Sequence, residues 1–131
     1  MNDIHYKTND TTLTADTFIA MANQVWAGDY HARYTAEALL RTINTTAWDK
    51  DALVGCVRVL SDGYFFGTVT EILVLSAYQK RGIGKQLMEL AFETSPTSLF
   101  FGAQAEAVGF YEKLGYEKSI QSFGKKKPRR K

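Results

Sequence analysis

The sequence predicts one three-layer α/β domain built around a mixed, mostly antiparallel sheet. Segments rich in β-branched and aromatic residues, typical of strands, alternate with segments whose apolar residues recur at helical spacing. Stretches that contain glycine or proline separate them. The 131 residues are 45% apolar and 23% charged, as in an ordinary globular domain. The predicted order, β-α-α-β-β-β-α-β-α-β, covers a sheet with helices on both faces.

The first third of the chain predicts a strand followed by two helices. Residues 3–8 alternate weakly between apolar and polar, as in a strand. The first helix follows, with Thr14 or Asp16 as its N-cap, and a loop occupies residues 27–35. The second helix begins at about Thr35. The residues on its predicted apolar face are Leu39, Leu40 and Ile43; those on the first helix are Phe18, Ile19, Ala22 and Val25.

The middle of the chain predicts an antiparallel meander and a third helix. Residues 52–60 are rich in β-branched side chains and end in the turn sequence Ser-Asp-Gly at 61–63. Residues 64–75 supply one or two further strands. The third helix begins at about Gly82 and ends before Pro96, because the residue that precedes a proline disfavours helix.

The last third predicts a strand, a helix and a closing strand. Residues 98–103 form a nearly continuous apolar run, which is typical of a strand buried on both faces. A helix over 104–114 ends at Gly115, which suits the C′ position. Residues 116–123 alternate as a closing strand. The predicted domain therefore covers residues 1–124, followed by a basic tail at 125–131.

The charge distribution disfavours nucleic-acid binding. The net charge is +2, but the tail "KKKPRRK" holds six positive residues, and the other 124 residues hold 10 basic and 14 acidic side chains. A basic tail could contact nucleic acid or another anionic surface. With an acidic body and no interleaving of aromatic and basic residues, a solvated end that keeps the last strand soluble is the favoured interpretation.

The composition predicts a cytoplasmic protein with no membrane span and no metal. No apolar run approaches the roughly 20 residues that cross a bilayer, and the N-terminus lacks the features of a signal peptide. Cys56 is the only cysteine and alternates within a strand, which predicts a buried apolar residue rather than a nucleophile. His5 and His31 have no further ligands at metal-binding spacing.

The sequence "KRGIGK" lies between a predicted strand and a helix, and it fits neither common nucleotide-binding motif. A dinucleotide fingerprint requires a third glycine where Leu87 stands. A Walker A loop requires glycine at Gln79 and Ser or Thr at Gln86. Two interpretations remain, a tight turn and an anion site.

The anion-site interpretation follows from the backbone of the loop. The first N–H groups of a helix have no intrahelical partners, and the helix dipole favours an anion beside them. Gly82 and Gly84 lack Cβ atoms, so a diphosphate could approach the backbone closely. Lys80, Arg81 and Lys85 add positive charge.

Three segments in series resemble the GNAT superfamily of N-acetyltransferases. "ILVLSAYQKRGIGKQLM" (72–88) matches the family signature of a strand, an aromatic residue and Gln/Arg-x-x-Gly-x-Gly/Ala. "QAEAVGFYEKLGYEK" (104–118) matches the second hallmark, a helix with Phe-Tyr that ends in Leu-Gly-Phe/Tyr. "LVGCVRVLSDG" (53–63) is similar to the strand and turn that usually precede the cofactor strand.

The resemblance implies acetyl-CoA as the acyl donor, without a metal. The strand would pair with the pantetheine arm, as an added strand pairs with a sheet edge. A bulge would splay this strand from the next one, at 98–102, and the glycine loop would bind the pyrophosphate. Gln104 stands where the family often has Asn. The implied cofactor-binding residues are Ile72, Leu73, Val74, Leu75, Lys80, Arg81, Gly82, Ile83, Gly84, Lys85, Gln104 and Tyr111.

The implied chemistry requires a base and an oxyanion donor. A lysine-type amine has a pKa near 10 and is mostly protonated at neutral pH, so it must lose a proton before it attacks. Glu71 is the first candidate for the base, with Asp62 or Asp29 as substitutes. The alternative for Glu71 is a solvated carboxylate or a structural ion pair. A backbone N–H of Val74 or Leu75 would stabilise the oxyanion.

The resemblance also implies a general acid and an acceptor site. Tyr111 occupies the position that often protonates the departing thiolate in the family; the alternative is a packed core aromatic. The segment between the first two helices, residues 24–34, usually forms a wall of the amine site. Trp26, Asp29 and Tyr30 in this segment suit a cation; ordinary packing at the helix ends is the alternative.

The predicted function is therefore direct transfer of an acetyl group to the primary amine of a small molecule, within a ternary complex. The alternatives are acetylation of a protein lysine or N-terminus, and a non-catalytic regulator that binds acyl-CoA. Beyond residue 118 the chain has one predicted strand where many relatives have a hairpin. A homodimer partner could complete that edge, or the edge could stay open and be protected by the basic tail.

Overall fold

The computed structural model describes residues 3–128, which form two units, residues 3–101 and 102–128. The strands of the first unit are β1 (Ile4–Lys7), β2 (Ile43–Asp49), β3 (Ala52–Ser61), β4 (Gly67–Val74) and β5 (Leu99–Phe100). The helices of the first unit are α1 (Ala15–Val25), α2 (Ala32–Arg41) and α3 (Ile83–Thr94). The second unit contains α4 (Val108–Lys113). Of the predicted basic tail, Arg129, Arg130 and Lys131 lie outside the described residues.

The first unit is an α/β structure with a five-stranded sheet in the order β1-β2-β3-β4-β5. The first four strands are antiparallel to their neighbours and β5 is parallel to β4. The predicted mixed, mostly antiparallel sheet is confirmed.

Helices pack on both faces of this sheet, as two adjacent residues of β3 demonstrate. Cys56 belongs to a buried cluster with Phe18 and Met21 of α1. On the other face, a Cβ atom added to Gly55 would lie 3.0 Å from a methyl carbon of Leu87 in α3. Successive side chains of a strand point to opposite faces, so α1 and α3 lie on opposite sides. Glycine at position 55 lets α3 approach the strand closely.

Several predicted helix boundaries are confirmed by their capping geometry. The Thr14 hydroxyl accepts a hydrogen bond from the N–H of Thr17 at 3.2 Å, so Thr14 is the N-cap of α1. Helix α3 ends at Thr94, two residues before Pro96. Gly115 has φ of +84° and follows the C-cap of α4, as predicted for a C′ glycine. None of the described helices is long and apolar enough to cross a membrane.

The prediction around the second helix was wrong in two respects. Helix α2 begins at Ala32, three residues before the predicted start, with His31 as its N-cap. Ile43 belongs to strand β2 rather than to the helix, and Leu40 is 86% exposed. Strand β2, which has strands on both sides, includes the buried residues Thr45 and Thr46. Stiff β-branched side chains favour a strand there.

Toward the C-terminus, the sequence predicted more strands than the structure has among its described residues. Residues 64–75 supply one strand, β4, and Phe100 of β5 is 41% exposed, so 98–103 is not buried on both faces. Within 102–128 the structure describes no strand, and residues 116–123 have no ladder partner there. Apolar alternation alone does not make a strand, because its backbone groups need a neighbouring strand. The predicted helix over 104–114 is a 3₁₀ turn followed by α4.

Candidate functional site

Within residues 3–101, strand β4 has an open edge toward its C-terminal end, where no other strand pairs with it. The ladder with β5 joins Gly67 to Leu99 and Thr68 to Phe100, whereas β4 continues to Val74. In an antiparallel ladder the backbone groups of alternate residues point away from the partner strand. Since the N–H of Leu75 donates to the carbonyl of Val54 on the β3 side, the backbone groups of Val74 and Ile72 point to the opposite, open edge.

A bulge in β4 precedes this open edge, as the family resemblance implied. Arg58 of β3 is opposite Glu71, but the next residue of β3, Val59, is opposite Val69. Thr70 is therefore the additional residue, and its hydroxyl donates to the carbonyl of Arg58 at 3.3 Å. A bulge bends its strand and increases the local twist, which is consistent with the early end of the ladder with β5.

The end of β4 distinguishes the two candidate oxyanion donors. The N–H of Leu75 donates to the Val54 carbonyl at 2.9 Å, and the Leu75 carbonyl accepts from the N–H of Tyr78 at 2.8 Å. Leu75 is therefore not a free donor, and that alternative is wrong. Val74 remains, with its N–H directed to the open edge. Its carbonyl accepts a hydrogen bond from Nε2 of Gln79 at 3.0 Å.

The glycine loop leads into an exposed helix N-terminus. Gly82 is the N-cap of α3, with φ of +80°, and no atom lies within 4 Å of the position of an added Cβ. The N–H of Gln86 donates to the Gly82 carbonyl at 3.0 Å. The N–H groups of Ile83, Gly84 and Lys85 precede that bond and have no intrahelical acceptors, so they can bind an anion.

Three cationic residues adjoin this helix N-terminus in the chain. Lys80, Arg81 and Lys85 are all exposed. Lys80 adopts a left-handed conformation with φ of +63°, which is uncommon for a residue other than glycine. Ile83 is 2% exposed and anchors the start of the helix in the core. The loop thus combines a fixed backbone with three cations.

Glu71 forms an ion pair with Arg58, directly across the ladder. The side chains are 34% and 17% exposed, respectively. The guanidinium carbon of Arg58 lies 5.7 Å from the ring centre of Phe18, so the pair is on the α1 face. Leu73, two residues further along β4, packs against the apolar cluster on this face. The structure therefore places Glu71 in the ion pair that the sequence offered as its alternative role.

The two substitute carboxylates lie elsewhere. Asp62 in the β3–β4 turn accepts hydrogen bonds from the N–H groups of Phe66, Tyr64 and Phe65 at 3.0, 2.8 and 2.7 Å. These bonds stabilise the carboxylate and lower the pKa of Asp62, which makes it a weaker base. Asp29 is exposed in the loop between α1 and α2.

The predicted acceptor segment forms a tight connection between α1 and α2. The hydroxyl of Tyr30 donates to the carbonyl of Trp26 at 2.7 Å, and the Tyr30 ring packs against the apolar cluster. Trp26 is 64% exposed. The rings of His31 and Tyr34 stack with their centres 4.1 Å apart. Tyr30 thus stabilises the segment, while Trp26 and Asp29 present an aromatic face and a carboxylate to solvent.

Tyr111 and Gln104 belong to the second unit. The Tyr111 ring lies 5.1 Å from that of Phe110 and 5.9 Å from that of Tyr116, centre to centre. Burial, and secondarily the neighbouring Tyr116, raise the pKa of Tyr111, so its phenol is protonated at neutral pH. The backbone carbonyl of Gln104 accepts from the N–H of Ala107 at 2.8 Å, at the start of the 3₁₀ turn.

Sequence reasoning missed one pair of residues next to the glycine loop. The Tyr78 hydroxyl donates to Oδ2 of Asp49, the last residue of β2, at 2.5 Å. The sequence identified only an aromatic residue in the signature, because strand β2 itself was not predicted. Within residues 3–128, no group of three or more His, Cys, Asp and Glu side chains could hold a metal ion.

Sequence comparison agrees with this geometry. The model of the acetyltransferase (GNAT) domain matches residues 29–118. The chain belongs to the GNAT acetyltransferase family. It is 32% identical over 81 residues to a Bacillus subtilis (strain 168) protein named "putative acetyltransferase" (59% of this chain, 54% of that protein). It is 38% identical over 71 residues to GCN5-related N-acetyltransferase 2, chloroplastic, of Arabidopsis thaliana (50% of this chain). The chain thus spans 54% and 27% of the lengths of these two relatives.

Solved structures share the fold of this GNAT chain. A GNAT family acetyltransferase from Streptococcus pneumoniae TIGR4 aligns with a TM-score of 0.74 and 24% identity, covering 95% of this chain and 100% of that one. Aminoglycoside N-acetyltransferase AAC(6')-Iy, in complex with CoA, aligns with a TM-score of 0.74 and 15% identity, covering 97% and 96%. The predicted GNAT-like fold is therefore confirmed.

Proposed function

We propose that this GNAT protein is an acetyl-CoA-dependent N-acetyltransferase. The observation that supports the proposal most directly is that two binding features, a strand edge and a helix N-terminus, follow each other closely along the chain. The open edge of β4, at Ile72 and Val74, leads within a few residues into the anion-binding N-terminus of α3. An extended chain that ends in a diphosphate, as coenzyme A does, matches both features. A protein with the same fold is known in complex with CoA.

The proposed cofactor contacts divide between the edge and the loop. The N–H groups of Ile83, Gly84 and Lys85 bind the diphosphate, and Lys80 and Arg81 add positive charge. The open-edge backbone groups of Ile72 pair with the amides of the pantetheine arm, which leaves the N–H of Val74 for the reacting thioester. Bound in this way, acetyl-CoA supplies the thioester that is attacked by the amine.

The catalytic roles proposed for the side chains follow from charge and protonation. The N–H of Val74 stabilises the negative charge that develops on the thioester oxygen. Glu71, which is paired with Arg58 across the ladder, is the proposed base that accepts the proton the amine loses, either directly or through water. Tyr111, whose pKa is raised, is the proposed general acid that protonates the departing thiolate. The amine attacks directly, within a ternary complex.

The proposed acceptor is the primary amine of a small molecule. Trp26 and Asp29 are exposed near each other in the chain, and an aromatic face with a carboxylate suits an ammonium group. An aminoglycoside acetyltransferase has the same fold. Acetylation of a protein lysine or N-terminus is the alternative acceptor chemistry, and a regulator that binds acyl-CoA without turnover is the non-enzymatic alternative.

One experiment separates these functions. Calorimetric titration with coenzyme A tests binding, and release of free CoA thiol from acetyl-CoA is then measured across a panel of small amines and peptides. Release with small amines supports the proposal, whereas release with peptides alone supports a protein acetyltransferase. Binding without turnover supports a regulator, and absence of binding refutes all three. Cys56 will contribute little background, because its thiol is buried and burial raises its pKa to about 12.

A further inference from the structure

A chain of three side chains links the sheet to the proposed phosphate loop. Asp49 is 8% exposed, and its carboxylate accepts the 2.5 Å hydrogen bond from Tyr78. Tyr78 ends the 3₁₀ turn Ser76–Tyr78 that follows β4. The guanidinium carbon of Arg81 lies 5.1 Å from the centre of the Tyr78 ring, within the range of a cation–π interaction.

The loop that precedes α3 needs stabilising contacts because one of its residues has an uncommon backbone conformation. Lys80, between Tyr78 and Arg81, is held at φ of +63°, a conformation that persists only where surrounding contacts determine it. The Gln79 side chain fixes the loop to the carbonyl of Val74, and the Tyr78 side chain fixes it to β2. Arg81 is exposed, and a free arginine side chain samples many rotamers. Contact with the Tyr78 ring reduces that freedom.

We propose that Asp49 and Tyr78 are positioning residues that hold Arg81 as a fixed cation beside the N-terminus of α3. This inference rests on the proposed function, since the anion that Arg81 meets is the diphosphate of coenzyme A. The Asp49 carboxylate orients the phenol, and the oriented ring presents a face to the guanidinium. Arg81 directly precedes Gly82, the N-cap residue, so this cation belongs to the loop that leads into the helix N-terminus. A pre-organised cation loses less side-chain entropy when the ligand binds.

The effect of each residue on coenzyme A affinity tests this arrangement. We expect Tyr78→Phe, which removes the phenol oxygen and keeps the ring, to raise the calorimetric Kd for coenzyme A about threefold to tenfold. Arg81→Ala should weaken binding at least as much. The double variant should bind no more weakly than Arg81→Ala alone, because Tyr78 acts through Arg81. The kinetic signature is a higher KM for acetyl-CoA with little change in kcat.

Two further variants separate positioning from simple support of the fold. Asp49→Asn keeps an acceptor for the Tyr78 hydroxyl and should largely preserve affinity, whereas Asp49→Ala should behave like Tyr78→Phe. Tyr6→Phe, in β1 of the same sheet, is the matched control and should leave the Kd unchanged. Thermal melting of every variant identifies any that are unfolded, and Tyr78→Phe retains its interpretation if Asp49→Ala fails to fold.

The results that would overturn the inference are distinct from those that would overturn the function. An unchanged Kd in Tyr78→Phe, or additive losses in the double variant, refutes the positioning role while leaving coenzyme A binding intact. Failure of the wild-type protein to bind coenzyme A refutes the proposed function and this inference together.

Discussion

Alanine substitution of Gly82, compared with the same substitution of Gly63, tests whether the glycine loop is a binding site or only a turn. Gly82 and Gly63 have φ of +80° and +86°, and in both cases no atom lies within 4 Å of an added Cβ. An L-residue in this conformation is strained by roughly 1–2 kcal/mol. Both variants should therefore lose similar stability, with a fall in Tm of about 4 °C for each kcal/mol. Gly63 lies in the turn before β4 begins, whereas Gly82 follows the other end of that strand.

The two variants should differ in their affinity for coenzyme A. The methyl group of Gly82→Ala would project into the open space beside the N–H groups of α3, where the diphosphate must approach. Loss of one hydrogen bond to a charged group is worth about 1.5–3 kcal/mol, which corresponds to roughly a tenfold or greater increase in Kd. Gly63→Ala should bind as the wild type does. Calorimetric titration at a temperature well below both melting transitions makes this comparison.

Two outcomes would refute the reasoning. If Gly82→Ala binds coenzyme A as tightly as the wild type, close approach of the diphosphate to this backbone is not required, and the loop is a turn. If both variants lose affinity equally, the loss reflects general destabilisation rather than the site. Thermal melting in the absence of ligand shows whether the strain in the two variants is indeed matched.

Three further predictions concern the core. Thr45→Val should raise the free energy of unfolding by about 1 kcal/mol in a denaturant titration, because the buried Thr45 hydroxyl has no hydrogen-bond partner among residues 3–128; an unchanged or lower value would contradict this. Cys56, whose pKa is raised to about 12 by burial, should react with a thiol reagent only after unfolding; rapid reaction of the native protein would refute its burial. Burial alone would raise the pKa of Asp10, but hydrogen bonds from Thr12, Thr46 and Trp48 together outweigh burial and lower the pKa. The stability that Asp10 contributes is thus present above its unfolded pKa and is lost as pH falls through its folded pKa. In thermal melts recorded against pH, Asp10→Asn should therefore reduce the fall in Tm at acid pH. An unchanged fall in Tm would contradict the assignment.

The sequence predicted well those features of the fold that depend on local contacts, such as helix caps and glycines at helix ends. Thr14 caps a helix through its own side chain, and Gly82 and Gly115 adopt the positive φ that only glycine adopts freely. These features depend on a few neighbouring residues. Strand β2 was missed because it follows α2 after a single residue, Thr42, without glycine or proline between them. The helical spacing of Leu39, Leu40 and Ile43 therefore extended the predicted helix into the first residue of β2.

The contacts within the candidate site could not be predicted, because they depend on strand register. Glu71 meets Arg58 only because Thr70 is an additional residue in β4, and no local signal in the sequence indicates the offset. The contact between Tyr78 and Asp49 joins residues 29 positions apart, through a strand that was not predicted. Long-range pairing of this kind requires the tertiary structure.

The bulge at Thr70 also determines where this strand tolerates changes in length. Val69 is opposite Val59 and Glu71 is opposite Arg58, so two residues that a regular strand would place on one face lie on opposite faces. Deletion of a single residue here would either withdraw Val69 from the interior or separate Glu71 from its cation. The interval from Gly67 to Val74 is therefore of fixed length, and insertions and deletions in homologous chains should fall instead in the turn at 62–66.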